Sequence, residues 1–296
     1  MAAFRWLGAL VAGFWLAVGP WNAASAASEP VDLELIIAVD VSNSVDAYEA
    51  RLQREGYVAA FSDAQVIEAI QSGFFGRVAV LYFEWAGLGF NRIVMDWTVI
   101  QDVEGARAFA AELGRQSYSS ARRTSISEAI DFAVPLFEKN DYIGKRKVID
   151  ISGDGPNNSG RPVTQAREAA LAAGITINGL PIVDNSPGYS RFAWIPDLDL
   201  YYEHCVIGGR GSFMIVANGF ADFANAIRQK LVLEIAGLTP AEQPAAKSAA
   251  AGPAGWRALS RPADGSPLVA VQNREPPSCT AGDFGGNLPF DRYDRY

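Results

Sequence analysis

The chain has 296 residues, with 33 acidic and 25 basic side chains and a formal net charge of −8. An acidic chain without a basic run is poorly suited to phosphate backbones and anionic membrane surfaces, which argues against nucleic acid as a partner. Hydrophobic residues make up 49% of the sequence and aromatic residues 11%, which is enough for a globular core.

The first 26 residues have the pattern of a secretory signal peptide. Arg5 is their only charged residue, an apolar stretch covers residues 7–18, and the segment ends in the small residues Ala24-Ser25-Ala26. The apolar stretch is shorter than the about 20 residues of a membrane span, so we expect cleavage and a mature chain without a transmembrane segment. An uncleaved anchor is the alternative. A periplasmic or secreted bacterial protein is therefore predicted.

From residue 31 onward, apolar runs alternate with helical patterns. The predicted strands are residues 33–39, 78–85, 146–151 and 175–180, an antiparallel edge strand at 92–97, and a last strand at 211–216. The predicted helices are residues 47–61, 103–113, 126–137, 162–172 and 220–235. This alternation predicts an α/β fold: a doubly wound, mostly parallel, Rossmann-like central sheet with helices on both faces.

Two segments lack such patterns. Residues 184–200 are expected to form an irregular insertion, either a packed surface loop or part of a partner surface. From residue 239 onward Pro, Ala and Gly dominate without a sustained period, which predicts a tail over residues 239–296 and not a second domain. The folded domain is therefore predicted to cover residues 31–238.

Oxygen-bearing side chains stand where three of these elements end or begin. They are Asp40, Ser42 and Ser44 after the first strand, Thr124 before a helix, and Asp154 after a later strand. Open α/β sheets bind ligands at the carboxyl ends of their strands, so we expect these groups to converge on one divalent cation. A set of hard oxygen ligands favours Mg²⁺, with Mn²⁺ or Ca²⁺ as alternatives, over zinc or copper.

The first motif has a second interpretation. Ser44 or Asp46 can simply cap the helix that begins near Ala47, and for the motif taken alone capping is the favoured interpretation. The two later segments favour the metal site.

Together, the three segments resemble the metal-ion-dependent adhesion site of the von Willebrand factor type A domain, over residues 31–238. Asp40, Ser42 and Ser44 match its DxSxS loop, Thr124 its separate threonine and Asp154 its late aspartate. The resemblance implies that the serines contact the metal directly, as does the threonine when a ligand is engaged, while the aspartates act largely through water. It also implies one coordination position left for a carboxylate of a protein partner.

The match has two departures. Arg122 and Arg123 precede Thr124 where family members often have glycine, and they either rim the site or are only solvated charges. Gly153 stands where threonine is frequent. The runs YYEHCVIGGRGSF and KLVLEIAG also resemble a bacterial family of exported type A domain proteins of unassigned function.

Both cysteines, Cys205 and Cys279, lie in the exported part of the chain. An oxidising compartment permits them to pair, which would staple the tail to the domain. A buried Cys205 with a free or intermolecular Cys279 is the alternative, since two thiols fix no connectivity by their spacing.

These features predict an exported, Mg²⁺-dependent protein-binding module without catalytic turnover. One alternative is a structural or scaffold protein of the cell envelope in which the metal only stabilises loops. Another is a weak metal-dependent hydrolase. The single histidine, His204, lies outside the three segments, so the predicted site lacks a nearby general base by sequence.

Overall fold

A computed structural model of the chain describes residues 28–183, 195, 197–242, 258–260 and 274–281. The predicted signal peptide, residues 184–194 of the predicted insertion and most of the predicted tail lie outside these residues. None of the helices in this part of the chain has the length and apolar character needed to cross a membrane.

Nine strands are described. In chain order they are β1 (Glu29–Val31), β2 (Leu33–Asp40), β3 (Val78–Trp85), β4 (Asn91–Ile100), β5 (Tyr142–Gly144), β6 (Lys147–Gly153), β7 (Thr176–Pro181), β8 (Phe213–Ile215) and β9 (Ala258–Ser260). Seven of them form the central sheet in the order β4-β3-β2-β6-β7-β8-β9, and β1 and β5 form a small parallel pair. The five inner strands are parallel, while β4 and β9 run antiparallel at the two edges.

Helices cover both faces of this sheet. They are α1 (Ala47–Phe61), α2 (Ala64–Gln71), α3 (Val103–Arg115), α4 (Ile126–Ala133), α5 (Val163–Ala172), α6 (Leu198–Tyr201) and α7 (Phe223–Ala236). Alternate residues of β2 enter two separate cores: Leu35 and Ile37 pack with α1, α2, α3 and α7, whereas Ile36 and Ala38 pack with α4, α5 and α6. The predicted doubly wound, mostly parallel α/β fold is thus confirmed.

Several short elements differ from the sequence prediction. The predicted helix 126–137 ends at Ala133 and continues as a 3₁₀ turn, Val134–Glu138, because Pro135 lacks the backbone N–H that an α-helix interior needs. α2, β1 and β5 were not predicted. The prediction of a last strand at 211–216 is wrong in one respect, since β9 pairs beyond β8 from within the predicted tail. Strands of three residues depend on pairing with a neighbouring strand. They are too short for an alternation of apolar and polar residues to be recognised in the sequence.

A disulfide ties the end of the described chain to the domain. Cys205 and Cys279 are bonded, with their Cα atoms 5.4 Å apart, which confirms the predicted pairing. Cys205 belongs to a π-helical turn, Tyr202–Val206, that follows α6. Beside the disulfide, Arg274 pairs with Asp197 and Asp199. The segment 274–281 is therefore held against α6 by one covalent bond and two ion pairs.

A buried ion cluster joins α7 to the central strand β6. Lys230 Nζ lies 2.5 Å from Asp150 Oδ1 and 3.0 Å from Glu234 Oε1, and all three side chains are inaccessible to solvent. Asn178 Nδ2 donates to Glu234 Oε1 at 2.5 Å. Burial raises the pKa of Asp150 to about 7, although Lys230 opposes the shift. One cation thus compensates two carboxylates in the core.

Replacing the central cation should destabilise the fold. We expect Lys230→Met to lower the free energy of unfolding in urea by about 3–5 kcal/mol at pH 8, because two buried carboxylates lose their counter-charge. The loss should be smaller at pH 5. Asp150, whose pKa is already about 7 in the presence of Lys230, is then neutral in the folded variant. The exposed Lys139→Met is the matched control and should change the free energy by no more than about 0.5 kcal/mol. Equal losses at the two positions, or a loss independent of pH, would contradict the cluster.

The disulfide yields a second prediction. Non-reducing peptide mapping of the purified protein should give one fragment that contains both Cys205 and Cys279. Reduction should increase proteolysis after Leu238, because the segment 274–281 then loses its covalent attachment. A Cys279→Ser variant should be cut equally with and without reductant. Two alkylatable thiols in freshly purified protein would show that the bond is absent.

Candidate metal centre

The loop after β2 presents serine hydroxyls at the carboxyl edge of the sheet. Its turn is closed by the Asp40 side chain, whose Oδ1 accepts from Ser42 N at 2.7 Å. Asp46 is the residue that caps α1: its Oδ1 accepts from the N–H groups of Tyr48 and Glu49 at 2.7 and 2.8 Å. Since Asp46 performs the capping, the alternative of a capping role for Ser44 does not hold.

Ser44 instead joins the first loop to the third segment. Ser42 Oγ lies 2.9 Å from Ser44 Oγ, and Ser44 Oγ donates to Asp154 Oδ1 at 2.7 Å. The sheet register brings this about, because Val39 on β2 lies opposite Ser152 on β6, and Asp154 follows directly after β6. Two residues that are 110 positions apart in the sequence are thus hydrogen-bonded.

Thr124 stands against the same segment from the other side. Its backbone N–H donates to Asn158 Oδ1 at 2.8 Å, and its carbonyl accepts from Asn158 N at 2.9 Å. A Cβ placed on Gly155 would be 3.9 Å from Thr124 Oγ1, so the threonine hydroxyl lies beside the residue after Asp154. All five residues of the predicted site therefore lie at one edge of the sheet.

Two asparagines that were not assigned a role from the sequence hold this arrangement. Asn158 makes both backbone contacts of Thr124, and Asn157 Oδ1 accepts from Ser127 N at 3.0 Å in the first turn of α4. The side chain of Asn157 is fully buried. The run GDGPNN carries a signal for this role, because adjacent asparagines after a strand end are typical of side chain to backbone bonding in loops.

The Asp40 carboxylate is the electrostatic problem of the site. It is fully buried, and no described group donates a hydrogen bond to its Oδ2 atom. Burial, followed by the nearby negative charge of Asp154, raises the pKa of Asp40 well above its ordinary value. A divalent cation would compensate the buried charge of Asp40 and reduce its repulsion by Asp154. The hydroxyls and carboxylates around Asp40 are hard oxygen ligands. The residues present therefore fit the metal that the resemblance implies.

Tyr202 explains why position 153 is glycine. A Cβ on Gly153 would lie 2.9 Å from the Tyr202 hydroxyl and 3.0 Å from Asp40 Oδ2. The ring of Tyr202 is buried, its hydroxyl has no partner among the described residues, and burial raises its pKa well above the ordinary value. The tyrosine thus occupies the space that a threonine side chain would need at position 153. No sequence pattern indicates a role for Tyr202, because it lies in the π-helical turn, far from the other site residues in the chain.

The two arginines before Thr124 are exposed, and the backbone beneath them is tightly packed. Arg123 has a left-handed conformation with φ of 67°, which glycine adopts without cost. The Arg122 carbonyl accepts from Gly87 N at 3.1 Å, and a Cβ on Gly87 would approach that oxygen to 2.4 Å. Gly87 therefore allows the Thr124 loop to rest directly on the β3–β4 turn.

The single histidine takes no part in this cluster. His204 has an exposed side chain, and its backbone carbonyl accepts from Arg167 Nη1 at 2.6 Å. Tyr202, two residues before His204, is the side chain of this turn that lies near Asp40.

The contact between Gly153 and Tyr202 is open to a double-mutant test. Gly153→Ala should lower the free energy of unfolding by about 1–3 kcal/mol in chelator, because the new methyl group overlaps the Tyr202 hydroxyl. Tyr202→Phe removes a buried hydroxyl without a described partner and should leave stability unchanged or raise it. The double variant should recover at least about 1 kcal/mol of the loss. Strictly additive changes would show that the two positions are not in contact.

No curated protein matches the sequence. Among solved structures, the chain is similar to von Willebrand factor type A from Catenulispora acidiphila, with 16% identity and a TM-score of 0.45 over 69% of this chain and 43% of that one. It is also similar to proximal thread matrix protein 1 from the mussel byssus, with a zinc-occupied MIDAS motif, at 14% identity and a TM-score of 0.43 over 71% and 49% of the two chains. A third is the pilus adhesin SpaC from Lactobacillus rhamnosus GG, at 12% identity and a TM-score of 0.44 over 70% and 31%.

The chain spans less than half the length of each of these proteins. With TM-scores below 0.5, the likenesses say nothing of what the chain binds.

A family described as "Protein of unknown function (DUF1194)" matches residues 30–239, which is most of the chain. The match agrees with the predicted resemblance to a bacterial family of unassigned function. The chain therefore belongs to the DUF1194 family.

Proposed function

We propose that this protein is a divalent-cation-dependent protein-binding module. Asp40, Ser42, Ser44, Thr124 and Asp154 hold Mg²⁺, with Mn²⁺ or Ca²⁺ as alternative ions, and a carboxylate of a protein partner completes the site. The observation that carries the proposal is the buried Asp40 carboxylate, which lies beside Asp154 and has an oxygen without a described donor. Such a group is unfavourable in a protein interior unless a positive charge compensates it.

The residues of the site divide the work between neutral and charged oxygens. Ser42, Ser44 and Thr124 contribute hydroxyls and no charge, while Asp40 and Asp154 contribute one negative charge each. When bound, the ion supplies a positive centre for an anionic group of the partner. Among the described residues only these two carboxylates face the site. An incoming carboxylate therefore meets less repulsion than at a site with more acidic ligands.

The cellular location is part of the same proposal. We infer that the mature chain is periplasmic or secreted. Two observations support this: the signal-peptide pattern of residues 1–26 and the Cys205–Cys279 disulfide, because such bonds persist mainly in oxidising compartments.

The absence of catalysis is proposed from the same geometry. Ser44 donates to Asp154, but no imidazole lies beside either residue, because the exposed His204 is the only histidine of the chain. A serine nucleophile needs an adjacent base to be activated. Hydrogen-bonded Ser44 and Asp154 thus serve better as ion ligands than as a catalytic pair.

Calorimetry tests the proposal directly. Wild type should bind Mg²⁺ or Mn²⁺ at one site, and Asp40→Ala should abolish binding while the circular dichroism spectrum is retained. The fold should survive because the variant removes a buried, repelled charge. Asp141→Ala, at an exposed aspartate, is the matched control and should bind as wild type does. Equal binding by wild type and Asp40→Ala would contradict the proposed ligands.

Partner capture then separates the alternatives. Immobilised protein should retain a partner from cell-envelope extract in Mg²⁺ and lose it in chelator. Retention should also be lost in Asp40→Ala and fall sharply in Thr124→Ala, which removes a proposed direct ligand. Ion binding without metal-dependent capture would favour the scaffold alternative. Metal-dependent hydrolysis of a peptide or phosphoester that disappears in the same variants would favour the hydrolase.

A further inference from the structure

A pocket of about 340 Å³ opens beside the first turn of α4; we refer to it as the α4 pocket. The residues that matter here are Leu88, Asn91, Glu128, Asp131, Phe132 and Arg161. Its volume is near the lower end of the range of ligand pockets, about 300–1,000 Å³. It therefore has room for one long side chain and not for a large cofactor.

The walls of the α4 pocket carry one uncompensated negative charge. Arg161 and Asp131 neutralise each other through two hydrogen bonds, Nε to Oδ2 at 2.8 Å and Nη2 to Oδ1 at 2.5 Å. Glu128 Oε1 accepts from Gly89 N at 2.8 Å, and Glu128 forms no ion pair with any described residue. An occupant with a positive charge is therefore favoured, and an anionic occupant is repelled.

The pocket also offers an apolar surface. Leu88 is 64% exposed and, with Phe132, provides an apolar wall. The methylene stem of a lysine or arginine packs against such a wall while its charged end donates hydrogen bonds. A purely apolar side chain would leave the charge of Glu128 without a counter-charge.

The α4 pocket and the proposed metal site meet at the start of α4, because Thr124 comes two residues before this helix and Ser127 lies in its first turn. Ser127 lines the pocket and is three residues after Thr124, so their Cα atoms are at most about 10 Å apart. Between them, a Cβ on Gly160 would lie 2.7 Å from both Ser125 Oγ and Ser127 Oγ and 3.4 Å from Leu88 Cδ2. An extended peptide advances about 3.3 Å per residue, so two side chains within about three residues of each other reach both places.

We propose that the α4 pocket binds the ammonium or guanidinium group of a Lys or Arg in the partner segment whose carboxylate is captured at the metal site. The inference rests on the proposed function. It adds that the partner's recognition sequence pairs an acidic residue with a basic residue at most three positions away. Glu128 is then the residue that selects the basic side chain.

Peptide selection tests the inference with the complete exported chain. A library of random linear heptapeptides displayed on phage is selected in Mg²⁺ against wild type, Glu128→Gln and Glu104→Gln. The glutamine at position 128 keeps an oxygen for Gly89 N and removes only the charge. Glu104 is an exposed glutamate in the first turn of α3, so Glu104→Gln makes the same change of net charge away from the pocket.

Wild type and Glu104→Gln should enrich sequences that contain Asp or Glu together with Lys or Arg within three positions. Glu128→Gln should enrich the acid without the base. In a selected peptide, replacing the base by norleucine should weaken binding to wild type about tenfold and have little effect with Glu128→Gln.

The outcomes separate the two proposals. Selection by wild type of acidic sequences without a basic residue overturns the role of the α4 pocket and leaves the metal site intact. An undiminished preference for the base in Glu128→Gln overturns it as well. Selected peptides that bind equally in chelator, or the absence of any Mg²⁺-dependent peptide, contradict the proposed function and with it this inference.

Discussion

The site depends on one constraint: two carboxylates, Asp40 and Asp154, are held close together where water hardly reaches them. Asp40 is fully buried at the end of the inner strand β2, and one of its oxygens has no described hydrogen-bond donor. Burial and the charge of Asp154 raise the pKa of Asp40 strongly, which means that the isolated chain holds this group in an unfavourable state. Carboxylates with strongly perturbed pKa values are concentrated at functional sites. The surrounding hydroxyls supply oxygens without adding further charge.

The packing around this pair leaves little freedom for the loops. Gly153 lies between the Tyr202 hydroxyl and Asp40, and Gly87 lies under the backbone of the Thr124 loop, so neither position accommodates a side chain. Asn157 and Asn158 then bind the start of α4 and Thr124 from a single turn. These contacts fix the backbone of Thr124 on the side of Asn158, and the Arg122 carbonyl holds the preceding backbone on Gly87. The departures from the family pattern at positions 122, 123 and 153 thus have local structural counterparts.

The strand β6 connects the candidate site to the core beneath it. Asp154 follows its carboxyl end, while Asp150 lies within it and pairs with Lys230 of α7. β6 thus places the Asp154 carboxylate at the edge of the sheet and the Asp150 carboxylate in a fully buried ion cluster. Because Lys230 of α7 pairs with Asp150 of β6, the position of α7 against the sheet is set by charge as well as by apolar packing.

At the level of sequence, the pairing of the two cysteines is one of two alternatives. The alternation of strands and helices, the fold class and the positions of the five oxygen-bearing residues follow from the sequence alone. These features are local: an apolar run such as residues 33–39 specifies a buried strand, and Asp40 and Asp154 stand directly after such strands. The position of Tyr202 beside Asp40 is visible only in the tertiary structure. The burial of Lys230 is visible only there as well, because the helical period of α7 marks its apolar residues and gives no sign that a lysine is buried. The tertiary structure also placed β9 at the sheet edge and formed the α4 pocket from three separate segments. Such contacts join residues far apart in the chain, and sheet register and close packing, which no local pattern encodes, decide which of them meet.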